Sequence, residues 1–254
     1  MKNALIFLKK EWTEQLRSGR LLTLGLVFAL VGIMSPAIAK MTPWLLEMMA
    51  EEMASTGLLV GDVTVTVLDS WTQFFKNIPI ALIAFVLMQS AIFTGEYQSG
   101  TLIPVLARGV RRSEVLIAKA AMPVILWTLG YWVSFAITYG YNAWFWTDPG
   151  APELMAAVLC WWGFGLWTVA VLVLASVMAS TGTGVLLGVG GAVVASFLSG
   201  LVPKLSDWVP TALMAGDPLA RGTMETPVGA IAVAAVTGAV CLAVSVPLFD
   251  KKHI

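Results

Sequence analysis

Residues 154–202 read LMAAVLCWWGFGLWTVAVLVLASVMASTGTGVLLGVGGAVVASFLSGLV and contain no Asp, Glu, Lys, Arg or His. A helix of about 20 apolar residues crosses the hydrocarbon core of a bilayer, which is about 30 Å thick. This stretch is long enough for two such helices, and the small residues at 180–184 separate them. We therefore predict membrane spans at 154–178 and 184–202.

The composition of the whole chain agrees with a membrane protein. Of the 254 residues, 58% are hydrophobic and only 12% are charged, whereas soluble domains carry about 25% charged residues. This supply of charge is too small to cover a soluble fold, which excludes most soluble enzymes. Lys and Arg total 15 and so do Asp and Glu, giving zero net charge. This balance argues against a nucleic-acid partner.

Four further uncharged runs predict spans at 21–39, 78–94, 120–146 and 228–249, six spans in all. With six spans, the N-terminal segment, the 95–119 segment and the C-terminal tail lie on one side of the membrane. These three regions hold most of the basic residues: Lys2, Lys9, Lys10, Arg17, Arg20, Arg108, Arg111, Arg112, Lys119, Lys251 and Lys252. Because basic residues concentrate on the cytoplasmic side, we predict that both termini are cytoplasmic.

Residues 1–20 do not form a cleavable signal peptide, because Glu11 and Glu14 interrupt the apolar core that such a peptide needs. Apolar side chains instead recur at helical spacing: Leu5, Leu8, Trp12 and Leu16. This pattern predicts an interfacial helix on the cytoplasmic leaflet. The alternative is a solvated helix that leads into the first span.

Small residues at four-residue spacing mark helix contact faces in membranes. The fifth span carries such a stripe: Gly184, Gly188, Ala192, Ser196 and Gly200. The sixth carries a shorter one: Ala230, Ala234 and Gly238. These stripes predict that the two helices pack tightly, against each other or against a neighbouring span.

Spans three and four are rich in aromatic residues. Those deep within the spans include Tyr131, Phe135, Trp162 and Trp167. They are candidates for the lining of a path for an amphiphilic substrate. The alternative is that they pack inside the protein or face lipid.

Pro36, Pro79 and Pro123 lie in or at the start of spans one to three. They either kink these helices or are tolerated there without a mechanical role.

The sequence offers no catalytic residues and no metal site. Cys160 and Cys241 are far apart in apolar runs, and the only histidine is His253 beside the last residue. The chain also lacks a phosphate-binding loop of the G-x-x-x-x-G-K-[ST] type. We therefore expect no cofactor in this chain, and energy for any transport must come from another chain.

The segment at 95–119 has the features of a docking surface. It begins GEYQSGTL at residue 95 and continues with a cluster of basic residues. The residues that we select are Glu96, Gly100, Thr101, Arg108, Arg111, Arg112 and Lys119. The charged groups can form charge-assisted contacts with a partner, and Gly100 permits a turn. The alternative for the arginines is a purely topological role, since basic residues favour the cytoplasmic side.

This segment, the N-terminal helix and the six spans together resemble the type-2 ABC transporter permeases, the membrane subunits of drug, peptide, lipid and polysaccharide exporters. In that family an acidic residue precedes Gly-Thr, a basic residue follows, and a Lys opens span three. The matching positions are Glu96, Gly100, Thr101, Arg111 or Arg112, and Lys119. Here LARG at 106–109 departs from the family's Pro-hydrophobic-Ser-Arg pattern, which leaves open the arginine at the basic position. The polar stretch at 203–227 lies where such permeases place outer re-entrant helices.

The resemblance implies one all-α integral membrane domain over residues 1–254, with six transmembrane helices, an interfacial helix and a cytoplasmic coupling helix at 95–119. It implies a permease that pairs with a second permease subunit, identical or related, and with cytoplasmic ATPase subunits that bind ATP and Mg²⁺. A bacterial inner membrane is the expected location, and the substrate is expected to be hydrophobic or amphiphilic. The alternatives are an energy-free scaffold or immunity protein and, with less support, an intramembrane lipid-modifying enzyme.

Overall fold

The computed structural model describes residues 2–55, 64–100 and 110–252, and all the regular secondary structure within these ranges is helical. The elements in chain order are α1 (Lys2–Arg17), α2 (Arg20–Ser55), α3 (Val67–Gln89), α4 (Thr94–Ser99), α5 (Arg112–Phe145), α6 (Leu154–Met178), α7 (Gly182–Gly200), a 3-10 helix (Pro210–Met214), α8 (Gly216–Ala220) and α9 (Val228–Lys251).

Six helical segments in the described ranges are long and apolar enough to cross a membrane. They are Arg20–Met48, Val67–Ser99, Arg112–Phe145, Leu154–Met178, Gly182–Gly200 and Val228–Lys251. The prediction of an all-helical fold with six apolar helices is thus confirmed. Pro36, Pro79 and Pro123 lie inside continuous helices.

Several helices extend beyond the uncharged runs from which the spans were predicted. The run at 78–94 begins after Lys76, but α3 already begins at Val67. Its start is fixed by Asp69, whose Oδ2 accepts from the backbone N–H of Thr66 at 2.8 Å and from the Thr66 hydroxyl at 2.9 Å. An acidic side chain at the third position of a helix that accepts from the backbone N–H of the preceding cap residue fixes the entry of the chain into the helix. The helix α5 likewise begins at Arg112, so the end of the 95–119 segment is already part of α5.

A short turn separates α1 from α2. It contains Gly19, whose φ of +73° lies in the left-handed region, where a glycine has no steric penalty. The backbone N–H of Ser18 donates to the carbonyl of Glu14 at 2.9 Å and closes the last turn of α1. This turn allows α1 to leave the direction of α2 and to pack against α5.

The helices form two groups that meet along α5 and α6. In one group α2 packs against α3 and α5; in the other α6 packs against α7 and α9. A β-carbon at Gly188 of α7 would lie 3.0 Å from Cβ of Ala175 in α6, and one at Gly238 of α9 would lie 3.6 Å from Cβ of Ala170. The two small-residue stripes thus both approach α6, the neighbouring span.

Aromatic side chains fill the interior between the two groups. Trp127, Tyr131 and Trp161 are almost completely buried. Their polar groups are satisfied by backbone carbonyls: Trp127 Nε1 donates to Trp162 at 3.1 Å, the Tyr131 hydroxyl to Val158 at 2.8 Å, and Trp161 Nε1 to Met214 at 2.9 Å. Because buried donors without partners are costly, these bonds let large aromatic residues occupy the core.

The segment at 203–227 contains the 3-10 helix and α8, which both pack against α6. Arg221 connects this segment to α3: its Nε donates to Asp217 Oδ1 at 3.0 Å, and its Nη2 to the Thr72 hydroxyl at 2.7 Å. Asp69 lies 3.7 Å from the same guanidinium group. The segment is therefore fixed to the start of α3. Its re-entrant position in a bilayer stays a prediction.

Candidate functional site

A cluster of four charged residues lies where α1, α4 and α5 meet; we call it the charge cluster and define it as Lys10, Glu11, Glu96 and Lys119. At its centre is Lys119, only 3% exposed. Its Nζ lies 3.1 Å from Glu11 Oε1 and 3.0 Å from Glu96 Oε1. It also donates to the carbonyl of Ile92 at 3.3 Å. One ammonium group therefore connects α1, the α3–α4 junction and α5.

Lys10 adds a second cation at the exposed side of the cluster. Its Nζ lies 3.3 Å from Glu96, 3.6 Å from Glu11 and 3.7 Å from Glu14. Partial burial lowers the pKa of Lys10, but the nearby carboxylates, Glu96 foremost, outweigh burial and raise it above its ordinary value. The two ammonium groups of the charge cluster balance its two carboxylates, which offsets the cost of burying Glu11 and Lys119.

The carboxylate oxygens of Glu11, Glu14 and Glu96 lie within 4.8 Å of one another. Acidic residues grouped in this way are the usual ligands of a hard cation. Here Lys10 and Lys119 lie among the three carboxylates, so ammonium groups already supply the positive charge that a metal ion would bring.

One acceptor in the charge cluster remains unused in the described part of the chain. Glu96 Oε2 is buried without a hydrogen-bond partner. In α1, Gln15 Oε1 is in the same state. Buried polar atoms generally have a partner, either from the protein or from water. Glu96 in α4 and Gln15 in α1 therefore each leave one acceptor for an additional donor.

The residues predicted to contact an ATPase fall into four groups. Glu96 and Lys119 belong to the charge cluster and contact each other. Arg111 precedes α5 and is exposed, whereas Arg112 is partly buried and donates to backbone carbonyls at the end of α9. Gly100 ends α4 with a φ of +66°, the left-handed conformation common after a helix. Thr101 and Arg108 lie outside the described residues.

The predicted helix-packing residues of α7 face two neighbours. Gly184 and Gly188 approach Ala179 and Ala175 at the end of α6. Ser196 exchanges a hydrogen bond with the Thr211 hydroxyl at 3.2 Å, and a β-carbon at Gly200 would lie 3.1 Å from Val209. Ala192 is half-buried between these two contacts.

The four aromatic residues predicted for a substrate path occupy two different environments. Tyr131 is fully buried, and Phe135 stacks on Trp71 with ring centroids 5.5 Å apart. Trp162 and Trp167 instead line an open groove of about 700 Å³ between α6 and α9, bordered by α5, which we call the α6–α9 groove. The structure thus brings only two of the four residues to one groove.

The walls of the α6–α9 groove are almost entirely apolar. Small residues such as Gly163 and Ala235 leave the space open, while Leu166 and Leu242 add aliphatic surface. Trp167 Nε1 donates to the Thr237 hydroxyl at 3.0 Å, which removes its polar group from the groove. The size is that of pockets that hold small organic ligands, and the chemistry favours an apolar chain.

Sequence reasoning missed Glu11 as a functional residue, because it was considered only as an obstacle to a signal peptide. The helix α1 buries Glu11 and Gln15 against the bundle, whereas Leu16 is 54% exposed. The polar pair at four-residue spacing, beside apolar Leu8 and Trp12, was a signal that one face of α1 buries a charge. A search for the cation that matches this charge would have led to Lys119.

The described chain is thus an all-helical membrane protein with six apolar helices and a charge cluster at one end. Comparison with known families matches residues 5–218 to the family described as ABC-2 family transporter protein. The match covers most of the chain, and the chain belongs to this family of membrane transport proteins. The resemblance found in the sequence is therefore confirmed.

The chain is also similar to the uncharacterized transmembrane protein YxlG of Bacillus subtilis (strain 168). The two are 22% identical over 222 residues, which are 83% of this chain and 81% of YxlG. This similarity agrees with a multi-pass membrane protein.

Proposed function

We propose that this chain is the permease subunit of an ATP-driven exporter in a bacterial inner membrane, with both termini in the cytoplasm. A separate cytoplasmic ATPase subunit, carrying ATP and Mg²⁺, drives it, and a second permease subunit completes the pathway. The observation that carries the proposal is the family match over residues 5–218. The family consists of membrane transport components, so this chain is not expected to hydrolyse ATP itself.

The charge cluster supports a mechanical role for the segment at 95–111. Glu96 of α4 is held by Lys119 of α5 and by Lys10 of α1. A force applied to α4 is therefore delivered to α5 through an ion pair that is shielded from water, where electrostatic attraction is stronger than at the surface. In this proposal the ATPase supplies the force, and α5 transmits it across the bilayer.

Arg111 is the arginine that we propose to contact the ATPase. It is exposed at the start of α5, whereas Arg112 is engaged by three backbone carbonyls. An exposed guanidinium group can donate to a carboxylate of a partner in a fixed, bidentate geometry. This assignment leaves Glu96 and Lys119 to transmit the movement.

We expect Arg111→Glu to weaken the complex with the ATPase about tenfold, which corresponds to about 1.4 kcal/mol, because it replaces attraction by repulsion. The measurement is gentle detergent extraction from the native host, followed by quantitative mass spectrometry of a co-purifying subunit with a phosphate-loop motif. The matched control is Lys204→Glu, which makes the same charge change at an exposed position in the segment at 203–227.

The wild-type sample in this experiment tests the proposed function itself. If no subunit with a phosphate-loop motif co-purifies, the exporter is excluded and the scaffold or immunity protein becomes the better explanation. A complex that survives Arg111→Glu but is lost in Lys204→Glu would contradict the proposed orientation, because it would place the ATPase at the opposite end of the bundle.

We propose that the substrate is hydrophobic or amphiphilic and contacts the α6–α9 groove. Support comes from its apolar walls and from Trp162 and Trp167, which line it. A groove of this kind recognises an acyl chain or a flat apolar ring by burial and shape rather than by hydrogen bonds. Tyr131 and Phe135, which pack elsewhere, do not contribute to this surface.

Gly163→Leu is expected to fill the groove and to lower protection against amphiphiles about tenfold, the change expected if substrate binding weakens by about 1.4 kcal/mol. Apart from the two residues next to it in the chain, no other side chain lies within 4 Å of a β-carbon built at Gly163, so the leucine side chain starts from open space in the groove. The measurement is the growth of a deletion strain, complemented with each variant, across a panel of quaternary ammonium detergents and amphipathic peptides.

The matched control is Gly190→Leu, which adds the same side chain at an equally open position on α7, away from the groove. It should protect as well as the wild type. Full protection by Gly163→Leu against every compound that the wild type exports would show that the groove is not on the substrate path.

A further inference from the structure

The end of α9 is bound by Arg112 from the start of α5. Arg112 Nη1 lies 3.1 Å from the carbonyls of Phe249 and Asp250 and 2.7 Å from that of Lys252. The last carbonyls of a helix generally lack a partner within the helix. The guanidinium group donates to those of Asp250 and Lys252, and it adds a second donor at the Phe249 carbonyl, which already accepts from the backbone N–H of Lys252. The contact also fixes the end of α9 relative to α5.

Lys252 makes the corresponding contact with α6. Its Nζ donates to the carbonyl of Val177 at 2.6 Å and to that of Ala179 at 2.7 Å, at the end of α6. It also lies 4.1 Å from the ring centroid of Tyr97 in α4, in the geometry of a cation–π interaction. Partial burial lowers the pKa of Lys252.

Two further contacts connect α4 to the same region. Phe93, just before α4, packs edge-on against Phe249 with ring centroids 5.5 Å apart, and both are completely buried. Gln98 donates to the carbonyl of Ser180, between α6 and α7, at 3.4 Å. We call the contacts of Arg112 and Lys252, together with these two, the tail contacts.

Consecutive residues of α4 thus connect to different parts of the bundle. Glu96 pairs with α1 and α5 through the charge cluster, while Tyr97 and Gln98 contact Lys252 and the end of α6. Because α4 has only six residues, a displacement relative to one group of spans also strains its contacts with the other group. The position of α4 is therefore coupled to both groups of spans.

We propose that Lys252, which Arg112 binds through its carbonyl, is a positioning residue that connects α4 to the ends of α6 and α9, so that displacement of α4 by the ATPase moves these two spans and reshapes the groove between them. This inference rests on the proposed function. Ordinary helix capping predicts a loss of stability when Lys252 is changed. Transmission predicts, in addition, the loss of an ATP-dependent movement in a complex that still assembles.

The test uses the full chain in complex with its co-purified ATPase, in which spin labels report the distance between α3 and α9. Labels are placed at Ile83→Cys and Val236→Cys, both exposed positions, after Cys160 and Cys241 are replaced by Ala. Labelled chain is diluted with unlabelled chain so that distances within one subunit dominate. The distance distribution is measured with and without ATP and vanadate.

Lys252→Met should retain the bound ATPase and its hydrolysis rate but lose the ATP-dependent change in distance. Lys252→Arg keeps a donor for the two carbonyls and should restore the change. Lys251→Met is the matched control, because Lys251 is the exposed neighbour, and it should behave as the wild type.

Three outcomes contradict the inference in distinguishable ways. A full ATP-dependent change in Lys252→Met would exclude the transmission role and leave the proposed function standing. Loss of the bound ATPase in Lys252→Met would show that the tail contacts support assembly rather than transmission. A wild-type chain that binds no ATPase would overturn the proposed function and, with it, this inference.

Discussion

Lys119→Met is expected to destabilise the chain by ~3–5 kcal/mol, the cost of removing one partner from a buried ion pair. The substitution preserves much of the side-chain volume but leaves the carboxylates of Glu11 and Glu96, now 3.1 Å and 3.0 Å from Lys119 Nζ, with only Lys10 as a cation. Two largely buried carboxylates that share one exposed cation are costly, because they have lost their water and gained only part of the opposite charge that they need.

Thermal unfolding in detergent, followed by near-ultraviolet circular dichroism, measures this effect. Lys204→Met is the control: it removes an exposed lysine and should change the stability by less than about 0.5 kcal/mol. The double variant Lys119→Met with Glu96→Gln removes one positive and one negative charge and should recover part of the loss. An unchanged melting temperature in Lys119→Met would mean that the charge cluster is solvated and does not hold α1, α4 and α5 together.

Gly165→Ala is expected to destabilise the core by about 1–3 kcal/mol or more, the usual cost of overpacking. A β-carbon at Gly165 would lie 2.0 Å from Cε2 of Trp127 and 2.3 Å from its Nε1, far inside van der Waals contact. Trp127 is completely buried and its Nε1 is bonded to the carbonyl of Trp162, so the indole cannot move aside without losing that bond.

The same helix supplies the control for this prediction. Gly163→Ala, two positions away in α6, places an identical methyl group where nothing lies within 4 Å. The measurement is the melting temperature of both variants in the same detergent, which removes helix propensity from the comparison because both exchange Gly for Ala. Equal melting temperatures would show that the contact between α5 and α6 is loose enough to accept a methyl group.

The helical spans were predictable because they depend on a local property, the absence of charge over about 20 residues. The same criterion does not give the start of α3, because Asp69 and Lys76 lie in its first turns, outside the uncharged run, although Asp69 stabilises the helix by capping it. Charges near a helix end are compatible with a span, because they can reach the interface.

The charge cluster was beyond sequence reasoning for a different reason. Glu11 and Lys119 are 108 positions apart, and their pairing depends on the turn at Gly19 that folds α1 back onto α5. Arg112 was predicted to face a partner because the sequence shows its charge. The sequence does not show which acceptors its side chain contacts. In the structure it binds carbonyls of a helix end 137 to 140 positions away. Charge can be read from sequence, whereas the acceptor that a cation finds depends on tertiary packing.

The helices of this bundle differ widely in length. At 1.5 Å per residue, the 19 residues of α7 extend over about 28 Å. This is slightly less than the hydrocarbon thickness of a bilayer, which is about 30 Å. The 34 residues of α5 extend over about 51 Å. A long helix fits a thin membrane by tilting and a thicker one by tilting less, whereas α7 is too short to adapt in this way. The length of α7 therefore sets the greatest bilayer thickness that this chain can span without thinning of the surrounding lipid.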